Sequence, residues 1–102
     1  MRGGMAGSLR PLGCSQYVGV AAASLLTATP TSGVTIPRNV LRVVISVETQ
    51  PIRYTDDGAL TPTAAVGILI PTNSLFIYDG DPYAFKMIQT AASATVNVAY
   101  YG

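Results

Sequence analysis

Two short runs carry most of the acidic side chains, Asp56-Asp57-Gly58 and Asp79-Gly80-Asp81-Pro82. Paired carboxylates serve hydrolases as acid and base, and they serve calcium loops as oxygen ligands. Asp-Gly-Asp matches a fragment of such a loop, and one fragment specifies neither chemistry. Aspartate is also a preferred turn residue, because its carboxylate accepts bonds from nearby backbone N–H groups. The neighbouring glycines and proline favour that turn reading. The rest of the inventory is thin. Histidine is absent, which removes the commonest general base, the serine triad and the usual transition-metal ligand. Cys14 is the only cysteine, so neither a zinc cluster nor an internal disulfide is possible, and it has no histidine to activate it. Gly3, Gly4 and Gly7 lack the preceding strand and following helix of a phosphate loop. The sequence therefore reads as that of a non-enzyme, with no catalytic residue, no cofactor and no bound metal assigned.

Composition points the same way. The chain has 102 residues, enough for one domain, and only 11% are charged against a usual value of roughly 25%. Hydrophobic residues make up 49%, and mean hydropathy is +0.39. So few charges cannot mask much exposed apolar surface, and large apolar patches mark interaction sites. Either partners cover that surface, or Ser, Thr, Asn and Gln keep it soluble. Net charge is +1 and Lys86 is the only lysine, so there is no clustered positive charge for a phosphate backbone. No direct nucleic-acid partner is expected. Arg2 and Arg10 before the apolar run at 17–28 give the outline of a secretory signal. The glycine-rich start and the interruptions at Ser24 and Thr27 argue against it. The run is also shorter than the roughly 20 residues of a membrane helix, so no membrane partner is expected.

Those residues must be positioned by strands. From Ser15 onward Val, Ile, Thr and Tyr dominate, and Gly or Pro recurs at intervals typical of a sandwich or small barrel. Strands are expected near 16–21, 23–28, 34–36, 40–48, 51–54, 65–70, 74–78, 84–89 and 94–100. The run 40–48 reads as a central strand, buried on both faces at its start and on one at its end. In the last strand Val96, Val98 and Tyr100 share one face. Pro37, Pro51 and Pro71 mark strand ends. Residues 29–37 echo residues 61–71, each a Thr-Pro-Thr, a short apolar run and a proline; the echo is either a duplicated hairpin or a repeat of turn chemistry. Residues 1–14, with four glycines and a proline, read as an extended arm ahead of a 15–102 domain. The fold class is all-β: an antiparallel sandwich of about eight short strands.

The second half carries a resemblance. Glu48-Thr49-Gln50-Pro51-Ile52-Arg53-Tyr54-Thr55-Asp56-Asp57-Gly58, then Pro62-Thr63 and Gly67, then Phe85-Lys86-Met87-Ile88-Gln89 and Ala91 through Tyr101, stand in order. This resembles small virion structural proteins of tailed bacteriophages, of the capsid decoration or cement type, over roughly residues 40–102. The resemblance implies a β-sandwich of jelly-roll type that lies on the capsid surface, self-associates as a dimer or trimer and binds the major capsid protein where capsid subunits meet. Assembly would take place in the host cytoplasm. It leaves a head–tail joining or tail component open, and a carbohydrate-binding virion-surface module as a different class. That last reading requires an exposed tyrosine cluster. The interface candidates are Arg2, Leu9, Arg10 and Leu12 in the arm, Arg42, Glu48 and Arg53 in the strand region, and Tyr100 and Tyr101 at the end. Glu48 is expected to pair with an arginine across the sheet or across a subunit boundary.

Overall fold

The computed structural model describes residues 9–21 and 23–102. The described residues hold nine strands. They are β1 (Pro11–Val18), β2 (Ala23–Ser24), β3 (Ser32–Gly33), β4 (Arg42–Glu48), β5 (Ile52–Thr55), β6 (Ile68–Ile70), β7 (Ser74–Tyr78), β8 (Lys86–Gln89) and β9 (Thr95–Tyr101). Branched residues at every second position build the longest of them. Val43, Ile45 and Val47 of β4 and Val96, Val98 and Tyr100 of β9 all point inward, each at most 2% exposed. A strand with one apolar face must lay it on a second layer. That layer is a four-stranded sheet in the order β2-β8-β5-β6, facing a five-stranded sheet in the order β3-β1-β9-β4-β7. Ile52, Ile70 and Met87 from the smaller sheet meet the inward row of the larger one in a single core. The chain is thus an all-β, two-sheet antiparallel sandwich.

The pairing is nested. β1 pairs with β9, β2 with β8, β4 with β7 and β5 with β6, all antiparallel. One long hairpin folded back over itself produces that nest. The pairs β4·β9 and β5·β8 then join its turns into the two sheets. An aromatic cluster ties the sheets together at the β6–β7 flank. Phe85 stacks on Tyr54 of the smaller sheet at 4.9 Å and leans on Tyr78 of the larger at 5.0 Å between ring centroids.

Three sequence expectations are altered here. Residues 1–8, with Arg2, lie outside the described residues, but Pro11–Cys14 already belong to β1, so the sheet starts before the Ser15 boundary. The echo at 29–37 and 61–71 does not yield two equivalent hairpins. Its first copy supplies β3 on the larger sheet, while its second leads into β6 on the smaller one. The start of the 40–48 run is not buried on both faces: Leu41 is 62% exposed, because no other described element packs over it.

Gly33 shows why β3 can attach at all. Its φ is +90°, and a Cβ there would collide with the carbonyl oxygen of Cys14. Gly33→Ala is therefore expected to cost about 1–3 kcal/mol in local strain and to release β3. Amide exchange checks it: Thr31 and Val34, which donate to the Gln16 and Cys14 carbonyls, should lose protection while the β9 amides keep theirs.

Candidate interaction surface

The outer face of the five-stranded sheet can be mapped from strand register. One row runs Cys14, Ala99, Val44, Ile77; the next runs Gln16, Asn97, Ser46, Leu75. A third, at the end nearest Arg10, holds Pro11, Tyr101 and Arg42. The first row is wholly uncharged and apolar. Its floor is a shallow hollow of about 550 Å³ lined by Cys14, Val44, Ser46, Leu75, Asn97 and Ala99. A second, smaller groove of Leu9, Arg42, Val44, Ile77 and Tyr101 continues it. Leu75 is 67% exposed and Ile77 57% exposed. A sheet face is normally dry on the side that packs and polar on the side that meets water. Here the outer side is apolar across its middle.

Polar groups frame the hollow. Gln16 Nε2 donates to Asn97 Oδ1 at 3.0 Å, and Asn97 Nδ2 donates to Glu48 Oε2 at 3.0 Å. Arg42 Nε bonds Asp79 Oδ1 at 2.6 Å at the opposite end. The Arg42 and Glu48 charges at the rim are thus tied within the chain, and the centre carries none.

The nine interface candidates divide. Leu9, Arg42 and Tyr101 come together around the smaller groove. Arg10 and Leu12 lie at the same end, where the Arg10 and Gly102 backbones bond each other at 2.8 and 3.0 Å. Glu48 lies on the outer face, but within the chain its partner is Asn97, and Arg42 pairs with Asp79 instead. Arg42 and Glu48 stand at opposite ends of β4, too far apart to meet. Arg53 points elsewhere: it donates to the Ala64 and Gly67 carbonyls at 3.1 and 2.9 Å and staples the β5–β6 connection. Tyr100 is 0% exposed, so its side chain belongs to the core, not to a surface. Its hydroxyl bonds Ser15 Oγ at 2.8 Å and the Tyr17 hydroxyl at 3.2 Å. The residues missed by sequence reasoning are Val44, Leu75, Ile77 and Ala99.

No protein-family model, curated protein or solved structure matches this chain. The surface itself must carry the functional reading.

The carboxylates at 56–57 and 79–81 are bonded within the fold, Asp57 and Asp81 locally and Asp56 and Asp79 to distant partners. Asp57 Oδ1 accepts from the Ala59 and Leu60 amides, both at 2.9 Å, and those bonds hold its carboxyl below the usual range. Asp81 Oδ1 accepts from the Tyr83 amide at 3.0 Å, and Asp56 Oδ2 accepts from the Tyr78 hydroxyl at 2.7 Å. Among the described residues no group of three or more His, Cys, Asp or Glu side chains is placed to hold a metal. Apart from Tyr101, which stands on the outer face, the tyrosines are likewise committed inward. Tyr17, Tyr78 and Tyr100 are buried, and Tyr83 spans the Pro37 carbonyl and the Val40 amide.

Burial pushes the Tyr78 and Tyr100 hydroxyls well above the ordinary tyrosine value, and it raises Tyr54 as well; Asp56 adds to the shift at Tyr78 and Tyr54. The folded chain thus keeps these protons at a pH where the unfolded chain has lost them. Stability from this source is complete below about pH 10 and falls as pH rises past it. Melting temperatures measured across the alkaline range should be level up to that point and then decline, with a shallower decline in Tyr100→Phe.

Proposed function

We propose that this chain is a non-enzymatic structural subunit of a tailed-phage virion, which decorates and stabilises the capsid from its outer surface. The observation that carries the reading is the uncovered apolar face of the five-stranded sheet, centred on Val44 and Ala99 and framed by self-satisfied polar groups. An apolar patch with a polar rim has the anatomy of a protein–protein interface. The partner is the major capsid protein, bound where capsid subunits meet. Each copy needs only a modest contact, since many copies reinforce one shell.

The fold supports the reading at a finer level. The nested pairs β1·β9, β2·β8, β4·β7 and β5·β6 fit a jelly roll, a double-sheet architecture found in viral capsid domains and also in lectins. β3 is then an extra edge strand outside the eight-strand roll. The carbohydrate-binding alternative draws no support from the tyrosines, because each of the six is buried or half-buried. The head–tail joining alternative uses the same face against a different partner.

The direct test is co-sedimentation of the purified chain with empty shells of the phage that encodes it. Saturable retention at hundreds of copies per shell supports the proposal. Retention on a glycan array with none on shells overturns it, and a copy number of 6 or 12 near one vertex moves the chain to the head–tail joint.

A further inference from the structure

We infer that two copies of this chain join edge to edge through β7, antiparallel about a two-fold axis at Phe76, so that their five-stranded sheets run on as one. This rests on the structural-subunit reading for its setting and names the partner of a flank that reading leaves free. β7 ends the strand order of the larger sheet, so its far side has no neighbour among the described residues. An edge like this is a ready template for another strand. Natural edges are blunted by shortness, charge, proline or a bulge. The opposite edge, β3, is only two residues long. β7 uses none of these devices: Ser-Leu-Phe-Ile-Tyr is uncharged and proline-free, and its register with β4 is unbroken from Val43–Tyr78 to Val47–Ser74. Among strands that end a sheet it is the longest.

The strand is also complementary to itself. With Phe76 on the axis, Leu75 of each copy faces Ile77 of the other, on the outer side where both are bare. Facing apolar side chains at that spacing are the unit of sheet stabilisation. Ser74 faces Tyr78. The centre of the contact is apolar. Polar residues lie just beyond its ends, Asn73 at one and Asp79, already paired with Arg42, at the other. No unpaired charge stands on the strand to repel a copy. The symmetry closes the contact at two, because it consumes both copies of β7 and leaves only the two-residue β3 at each outer end. The Val44 and Ala99 hollows of the two copies would then flank a shared ridge of leucine and isoleucine.

Light scattering on the purified full chain reads the mass as concentration rises. The expected result is a two-chain species, weakened at least about tenfold by Ile77→Lys. Because Ile77 is 57% exposed, the variant should keep the wild-type circular dichroism spectrum and melting temperature. Register is read by the triple variant Cys14→Ser, Leu75→Cys, Ile77→Cys. Directly opposed residues of an antiparallel pair lie about 4.5–5.5 Å apart at Cα, within disulfide range. Mild oxidation should link two chains. A single-chain mass at every concentration, a two-chain species indifferent to Ile77→Lys, or a triple variant that does not cross-link would each overturn the inference. A wild-type dimer that fails to co-sediment with shells supports this inference while sinking the docking reading; a monomer retained on shells does the reverse.

Discussion

Ala99→Lys should abolish retention on the capsid shell while leaving the fold intact. Ala99 stands at the centre of the outer face, flanked by Cys14 on β1 and Val44 on β4. Its side chain points away from the core, so the chain alone accommodates a lysine that reaches into solvent. A docked face has no such exit. An unpaired ammonium closed into an apolar contact costs several kcal/mol, and each 1.4 kcal/mol is a factor of ten in affinity. Retention should therefore fall by at least about a hundredfold. Co-sedimentation against a concentration series measures it. Leu69→Lys, a change at a 48% exposed site on the smaller sheet, is the matched control and should bind as wild type.

Phe85→Ala should be the most destabilising of the simple truncations. The ring is 0% exposed and touches Tyr54 and Tyr78, one from each sheet. Removing it deletes the transfer energy of a large side chain and leaves a cavity between layers that are held apart by their own backbones. Truncations of this kind cost about 3–5 kcal/mol. A domain this size has roughly 5–15 kcal/mol in total. Each kcal/mol lowers the melting temperature by about 4–8 °C, so a drop of at least about 12 °C should appear by calorimetry or circular dichroism.

The fold class was legible because alternation is local. Val96, Val98 and Tyr100 share a face in sequence and in space. Alternation does not say which face is inner, and that is how Tyr100 entered the interface candidates although its own row is the core. Ser-Leu-Phe-Ile-Tyr is apolar on both faces, which suits a strand buried on both sides and equally an edge strand with a bare outer side. Only the strand order separates those cases, and strand order depends on contacts far apart in sequence. The turn aspartates divide in the same way. Asp57 and Asp81 bond backbone within three residues, as their neighbours suggest. Asp56 and Asp79 find Tyr78 and Arg42, 22 and 37 residues away, and no local spacing announces those partners. The hollow itself is assembled across five strands, β3 included, so no single run contains it.

The central claim is that the outer face of the five-stranded sheet is covered by a capsid shell. The most direct measurement of this proposal is a reconstruction of an intact tailed-phage particle assembled with this chain, at a resolution that places its side chains. The account predicts hundreds of copies on the shell with Val44, Ala99 and Tyr101 buried against capsid subunits. A particle without the chain, or copies whose Val44–Ala99 face looks out to solvent, would contradict it.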